Sequence, residues 1–76
     1  MIKTVNGQQI VVQHMFPIAD IKVGQHWAYA DGSSGEVTIT AVNYDEQDVT
    51  YANSRTGSSH TKDAFSFQTR YCMIVG

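Results

Sequence analysis

The sequence predicts an all-β fold: a small, closed, five-stranded barrel carrying an additional N-terminal β-hairpin. Three observations predict it. From Val23 to Val75, short runs rich in β-branched and aromatic residues alternate with turn residues. An Asn6-Gly7 pair divides two further β-rich runs, and no stretch shows a sustained helical repeat of apolar residues.

The elements follow in chain order. Ile2-Lys3-Thr4-Val5, Asn6-Gly7 and the run from Gln8 to Gln13 form a hairpin, because both central residues tolerate the positive φ of a type I′ turn. His14 to Lys22 contains Pro17, which lacks an N–H and opposes a helix interior or a central strand, so this segment is a connector. Residues 1–13, 14–22 and 23–75 thus divide a single domain of 76 residues into hairpin, connector and barrel. In the first barrel strand Trp27 and Tyr29 alternate with Ala28 and Ala30, which directs Trp27 into the core and His26 outward. Asp31-Gly32-Ser33-Ser34-Gly35 is a loop. Glu36 to Asn43 is a strand with Val37, Ile39 and Ala41 on one face and Thr38, Thr40 and Val42 on the other. Tyr44-Asp45-Glu46-Gln47-Asp48 turns the chain into Val49-Thr50-Tyr51-Ala52-Asn53, which pairs antiparallel with it. Ser54-Arg55-Thr56-Gly57 turns again into a short polar strand, Ser58 to Lys62. Asp63 is suited to cap a single 3₁₀ turn near Asp63-Phe65, and Arg70 to Val75 closes the barrel. The expected core is Trp27, Val37, Ile39, Val49, Phe65 and Ile74.

This order of strands, glycine-rich loop, tight central turn and 3₁₀ turn resembles the SH3-like barrels. More narrowly, Val23-Gly24-Gln25-x-Trp27, Thr56-Gly57, Asp63-x-Phe65 and Arg70-Tyr71 resemble small uncharacterised bacterial and bacteriophage proteins with a Val-Gly-Gln-x-Trp opening. The resemblance covers roughly residues 20 to 75 and implies an SH3-like barrel. Its motifs are mostly structural, and fold likeness alone does not choose a function. The arginines that such proteins often carry in the fourth strand are replaced here by Ser58-Ser59-His60-Thr61-Lys62.

Composition narrows the function classes. Five basic against seven acidic side chains argue against a general phosphate-binding surface. Cys72 is the sole cysteine, so no intrachain disulfide forms, and a reducing, cytoplasmic setting is expected. No apolar run approaches the roughly 20 residues that span a bilayer, and no leader is recognisable at the N-terminus, so no membrane association is expected. His14, His26 and His60 lack metal-ligand spacing, and Asp31 to Gly35 lacks the lysine and helix of a phosphate loop. No metal or cofactor is expected, and no nucleophile, base and orienting group assemble by motif, so the chain is read as non-enzymatic. Cys72 within Tyr71-Cys72-Met73-Ile74-Val75 is more simply a packing thiol than a nucleophile.

The aromatic residues exceed what so small a core buries, so some reach the surface. The first functional expectation is a protein-binding module, a bacteriophage accessory or host-directed inhibitor protein in type, in which Tyr29 and Tyr44 lie beside the carboxylates Asp45, Glu46 and Asp48. The alternative is a barrel that binds or sequesters a nucleic acid or nucleotide, with Lys22, Arg55, Lys62 and Arg70 on one side and Tyr51 or Phe67 stacking a base. A third expectation is self-association through the apolar edge Ile10-Val11-Val12; the hairpin is equally suited to pack on its own barrel or lengthen its sheet.

Overall fold

Asn6 and Gly7 both adopt positive φ, 52° and 78°, and they join β1 (Ile2–Val5) to β2 (Gln8–Val11) as the Asn-Gly pair demands. The computed structural model describes residues 1–75. Among these described residues, a 3₁₀ turn at Ile18–Asp20 follows the hairpin, and then come β3 (His26–Tyr29), β4 (Glu36–Asn43), β5 (Asp48–Asn53), β6 (Ser59–Asp63), helix α1 (Ala64–Arg70) and β7 (Tyr71–Met73). The molecule is therefore predominantly β, with one two-stranded and one five-stranded antiparallel sheet. Strand order in the larger sheet is β6-β5-β4-β3-β7, which makes β6 and β7 its edges. Helix α1 connects those two edges.

The core gathers Ile21, Trp27, Val37, Ile39, Val49, Tyr51, Ala64 and Phe67. Phe67 is its centre: its ring lies 4.9 Å from each of Trp27, Tyr51 and Tyr71. Such aromatic contacts add roughly 0.5–1.5 kcal/mol each beyond burial.

Five expectations are corrected here. The turn after Asp63 is a two-turn α-helix, not a single 3₁₀ turn, and the last strand begins at Tyr71 rather than Arg70. The Asp63 carboxylate accepts the Ser66 N–H at 3.0 Å, which caps the helix, and no glycine or proline interrupts Ala64 to Arg70. The same hydrogen bond holds the Asp63 carboxyl below its ordinary value. In that helix Ala64 and Phe67 share the inward face, and Phe65, expected in the core, is 66% exposed. Along β4 the pairing shifts between Ile39 and Ala41, leaving Thr40 as the extra residue of a bulge. The bulge reverses the alternation, so Ala41 is exposed and Val42 packs against the core. Ile74 is only half-buried, as an isolated bridge partner of Ile10.

The hairpin docks on its own domain. Val75 N–H donates to the Gln9 carbonyl at 2.8 Å, Gln8 Nε2 to Glu36 Oε1 at 3.3 Å, and Asn6 Nδ2 to the Gly32 carbonyl at 3.1 Å. Ile10 is buried by this docking, so the residue offered as an edge for a second chain is engaged within its own chain. The connector is held by Gln68, whose side-chain amide accepts the Phe16 N–H at 2.8 Å and donates to the Phe16 carbonyl at 3.0 Å.

Candidate functional site

The first turn of α1, the connector and the β4–β5 turn enclose a shallow concavity of about 220 Å³. Phe65, Met15, Phe16, Pro17 and Ile18 supply its apolar lining, with Gln47 and Gln68 between them. Each wall has a local cause. Asp63 fixes the start of α1 and so the direction of Phe65, while Gln68 pins the connector at Phe16. The Ala64 N–H donates to the Gln47 carbonyl at 2.8 Å, tying helix to turn. The Tyr44 hydroxyl donates to the Ile21 carbonyl at 2.9 Å, tying turn to connector. Met15 is 45% exposed and Tyr44 48%.

Carboxylates neighbour the lining residues along the chain. Asp45 and Glu46 occupy the exposed turn immediately before Gln47, and Asp48 pairs across the strands with Asp63, the residue before the helix. Asp20 stands two residues after Ile18. Among the described residues the one ion pair is His26–Glu36, at 2.9 Å and outside these segments, so none of these five carboxylates is neutralised by a salt bridge.

The sequence-predicted protein-binding set is divided. Tyr44, Asp45, Glu46 and Asp48 remain together, but Tyr29 does not join them. It ends β3, next to the start of β4 and beside the Asp31–Gly35 loop, whereas Tyr44 follows the far end of that eight-residue strand. There the Tyr29 ring packs on Tyr71, its hydroxyl accepts a hydrogen bond from Asn53 Nδ2 at 3.0 Å, and its edge lies 3.4 Å from where a Cβ on Gly35 would stand. Gly35 has φ 109°, a backbone conformation that favours glycine.

The nucleic-acid set is divided as well. Arg70 and Arg55 each line a concavity beside Tyr29 and Asp31. Lys22 follows the 3₁₀ turn, and Lys62 is opposite Val49 near the other end of β6. Tyr51 and Phe67, the expected stacking residues, are 2% and 0% exposed and stack within the core instead. A continuous basic groove with an aromatic platform is therefore not formed. Asp31 is locally engaged: hydrogen bonds from the Ser33 hydroxyl and then its backbone N–H lower its carboxyl pKa.

Tyr71, at the edge of the core, has its phenol pushed up to about 12, chiefly by burial and further by Tyr51 and Tyr29, with Arg70 opposing. A phenol raised in the folded state contributes stability that is full below its ordinary value near 10 and is lost as pH rises through about 12. An absorbance titration of phenolate should therefore show one late tyrosine accompanied by unfolding. Tyr71→Phe should remove that component; an unchanged alkaline profile would contradict the assignment.

Cys72 and His14 line a second concavity, about 340 Å³, between the connector and β7. Burial pushes the Cys72 thiol pKa up, away from the thiolate that nucleophilic chemistry requires. Among the described residues no three His, Cys, Asp or Glu side chains gather as metal ligands, and no helix is long and apolar enough to cross a membrane.

Sequence reasoning missed Phe65 as a surface residue. The signal was the Asp63-x-x-Ser66 cap followed by Ala64 and Phe67 at helical spacing, which leaves Phe65 off the buried face. Comparison with known protein families, with curated proteins and with solved structures finds no match.

Proposed function

We propose that this chain is an SH3-like barrel acting as a non-enzymatic protein-binding module, and that the Phe65 concavity is where it binds. The observation that carries the reading is the exposure of a large aromatic side chain, Phe65, in a concavity shared with exposed Met15. A phenyl ring fully withdrawn from water on association contributes about 1.5–3 kcal/mol, and aromatic anchors of this kind dominate interfaces. The β6-β5-β4-β3-β7 order, with α1 standing where an SH3-like barrel places its 3₁₀ turn, supports the fold assignment. The resemblance of the Val23-Gly24-Gln25-x-Trp27 opening to small bacterial and bacteriophage proteins extends the reading to an accessory or host-directed role.

Affinity capture from bacterial lysate, followed by calorimetry with the purified partner, tests this. Phe65→Ser should retain the fold, because the ring is exposed, and weaken binding on the order of tenfold or more. A partner held equally well by wild type and Phe65→Ser would overturn the assignment of this surface.

A further inference from the structure

The apolar opening and the charges that neighbour it along the chain together specify an occupant. We propose that the Phe65 concavity receives a positively charged peptide segment that inserts one bulky apolar side chain between Phe65 and Met15; this rests on the protein-binding reading above. The concavity, about 220 Å³, suits a single large side chain rather than a broad apolar face. Five of the chain's seven carboxylates neighbour its lining residues along the chain: Asp45, Glu46 and Asp48 around Gln47, Asp63 before Ala64 and opposite Asp48, and Asp20 two residues after Ile18. Asp63 is committed to capping α1, whereas Asp45 and Glu46 are exposed on the turn.

The cations along these segments are Lys22 and Lys62, two residues after Asp20 and one before Asp63. Lys62 is opposite Val49, on the face of β6 that also carries His60 against the Tyr51 ring, so it alternates away from Asp63. Arg55 and Arg70 stand beside Tyr29, at the other end of β4 from the acidic turn, and Lys3 is on the hairpin. The five carboxylates outnumber the two cations along these segments, so an anionic partner meets net like charge and a cationic one complementary charge. The carboxylates set preference and encounter rate, and the apolar anchor supplies residence.

Selection of a random-sequence peptide library on the intact protein tests the inference. Enriched peptides should combine several Lys or Arg residues with one Leu, Phe or Trp, and lose binding in Phe65→Ser. Their affinity should fall on the order of tenfold between about 50 and about 300 mM salt, and Asp45→Asn with Glu46→Gln should weaken low-salt binding while flattening that dependence. Peptides that require Phe65 yet carry no excess of cations, and are indifferent to salt, would overturn the cationic partner and leave the binding surface standing. Failure to select any peptide that depends on Phe65 would overturn both. Sedimentation of the protein alone completes the test: a dimer that Phe65→Ser dissociates would make a second copy the occupant and overturn the proposal.

Discussion

Phe67→Ala should bring this domain to the edge of unfolding, while Phe65→Ala, two residues earlier in the same helix, should leave its stability nearly unchanged. Removing a fully buried phenyl group costs about 3–5 kcal/mol, the lost transfer energy plus the cavity left behind. At roughly 0.05–0.15 kcal/mol per residue, a chain of 76 residues has only about 4–11 kcal/mol to lose. The cavity would open where the Trp27, Tyr51 and Tyr71 rings converge, so relaxation at one wall would disturb the others. Phe65→Ala removes an exposed ring and should change stability by no more than about 0.5 kcal/mol. Urea denaturation followed by Trp27 fluorescence checks both. With a slope near 1 kcal/mol per molar, the Phe67 variant's midpoint should drop by roughly 3 M or more. Equal loss in the two variants would mean that the inward face of α1 has been assigned wrongly.

Ile10→Ala should release the hairpin. Ile10 is 2% exposed but lies outside the main core cluster, and truncating such a residue costs about 2–5 kcal/mol. The attachments that survive include the Ile10–Ile74 backbone bridge with its hydrogen bond from Val75, and side-chain bonds from Gln8 and Asn6, the last of them exposed. Each nets only about 0.5–1.5 kcal/mol. Hydrogen exchange should show protection lost first at the Val75 amide and across β1 and β2, with the Ile39 amide, bonded to the Gln25 carbonyl inside the larger sheet, retained longer. Uniform loss at all these amides would instead make hairpin and sheet one cooperative unit.

Much of the backbone plan was legible because its signals are local. Asn6-Gly7 specified a turn by φ alone, and β-branched alternation specified β4 and β5. What escaped depended on choices that local pattern leaves open. Ala41 and Val42 are both apolar, so a bulge at Thr40 that exchanges their faces leaves no mark on the pattern. Phe65 and Phe67 have the same chemistry and sit two positions apart, a spacing that puts both on one face of a strand and on different faces of a helix. Reading a single 3₁₀ turn at Asp63-Phe65 in place of the helix Ala64–Arg70 therefore placed the wrong phenylalanine inside. The candidate site inherited that error: its carboxylates were visible in sequence, whereas its apolar centre required the helix to be known.

Strand β7 bears on when the molecule becomes complete. It pairs with β3 across more than forty residues of chain, and the residue after it, Ile74, bridges to Ile10. The β4-β5-β6 meander needs only neighbouring segments and can form early, but Trp27 keeps an open flank until Met73 arrives beside it. Cooperative closure thus waits for β7. A chain truncated before Tyr71 would leave Trp27 and Phe67 without the strand that flanks them, and such an incompletely closed species is where this fold is exposed to aggregation.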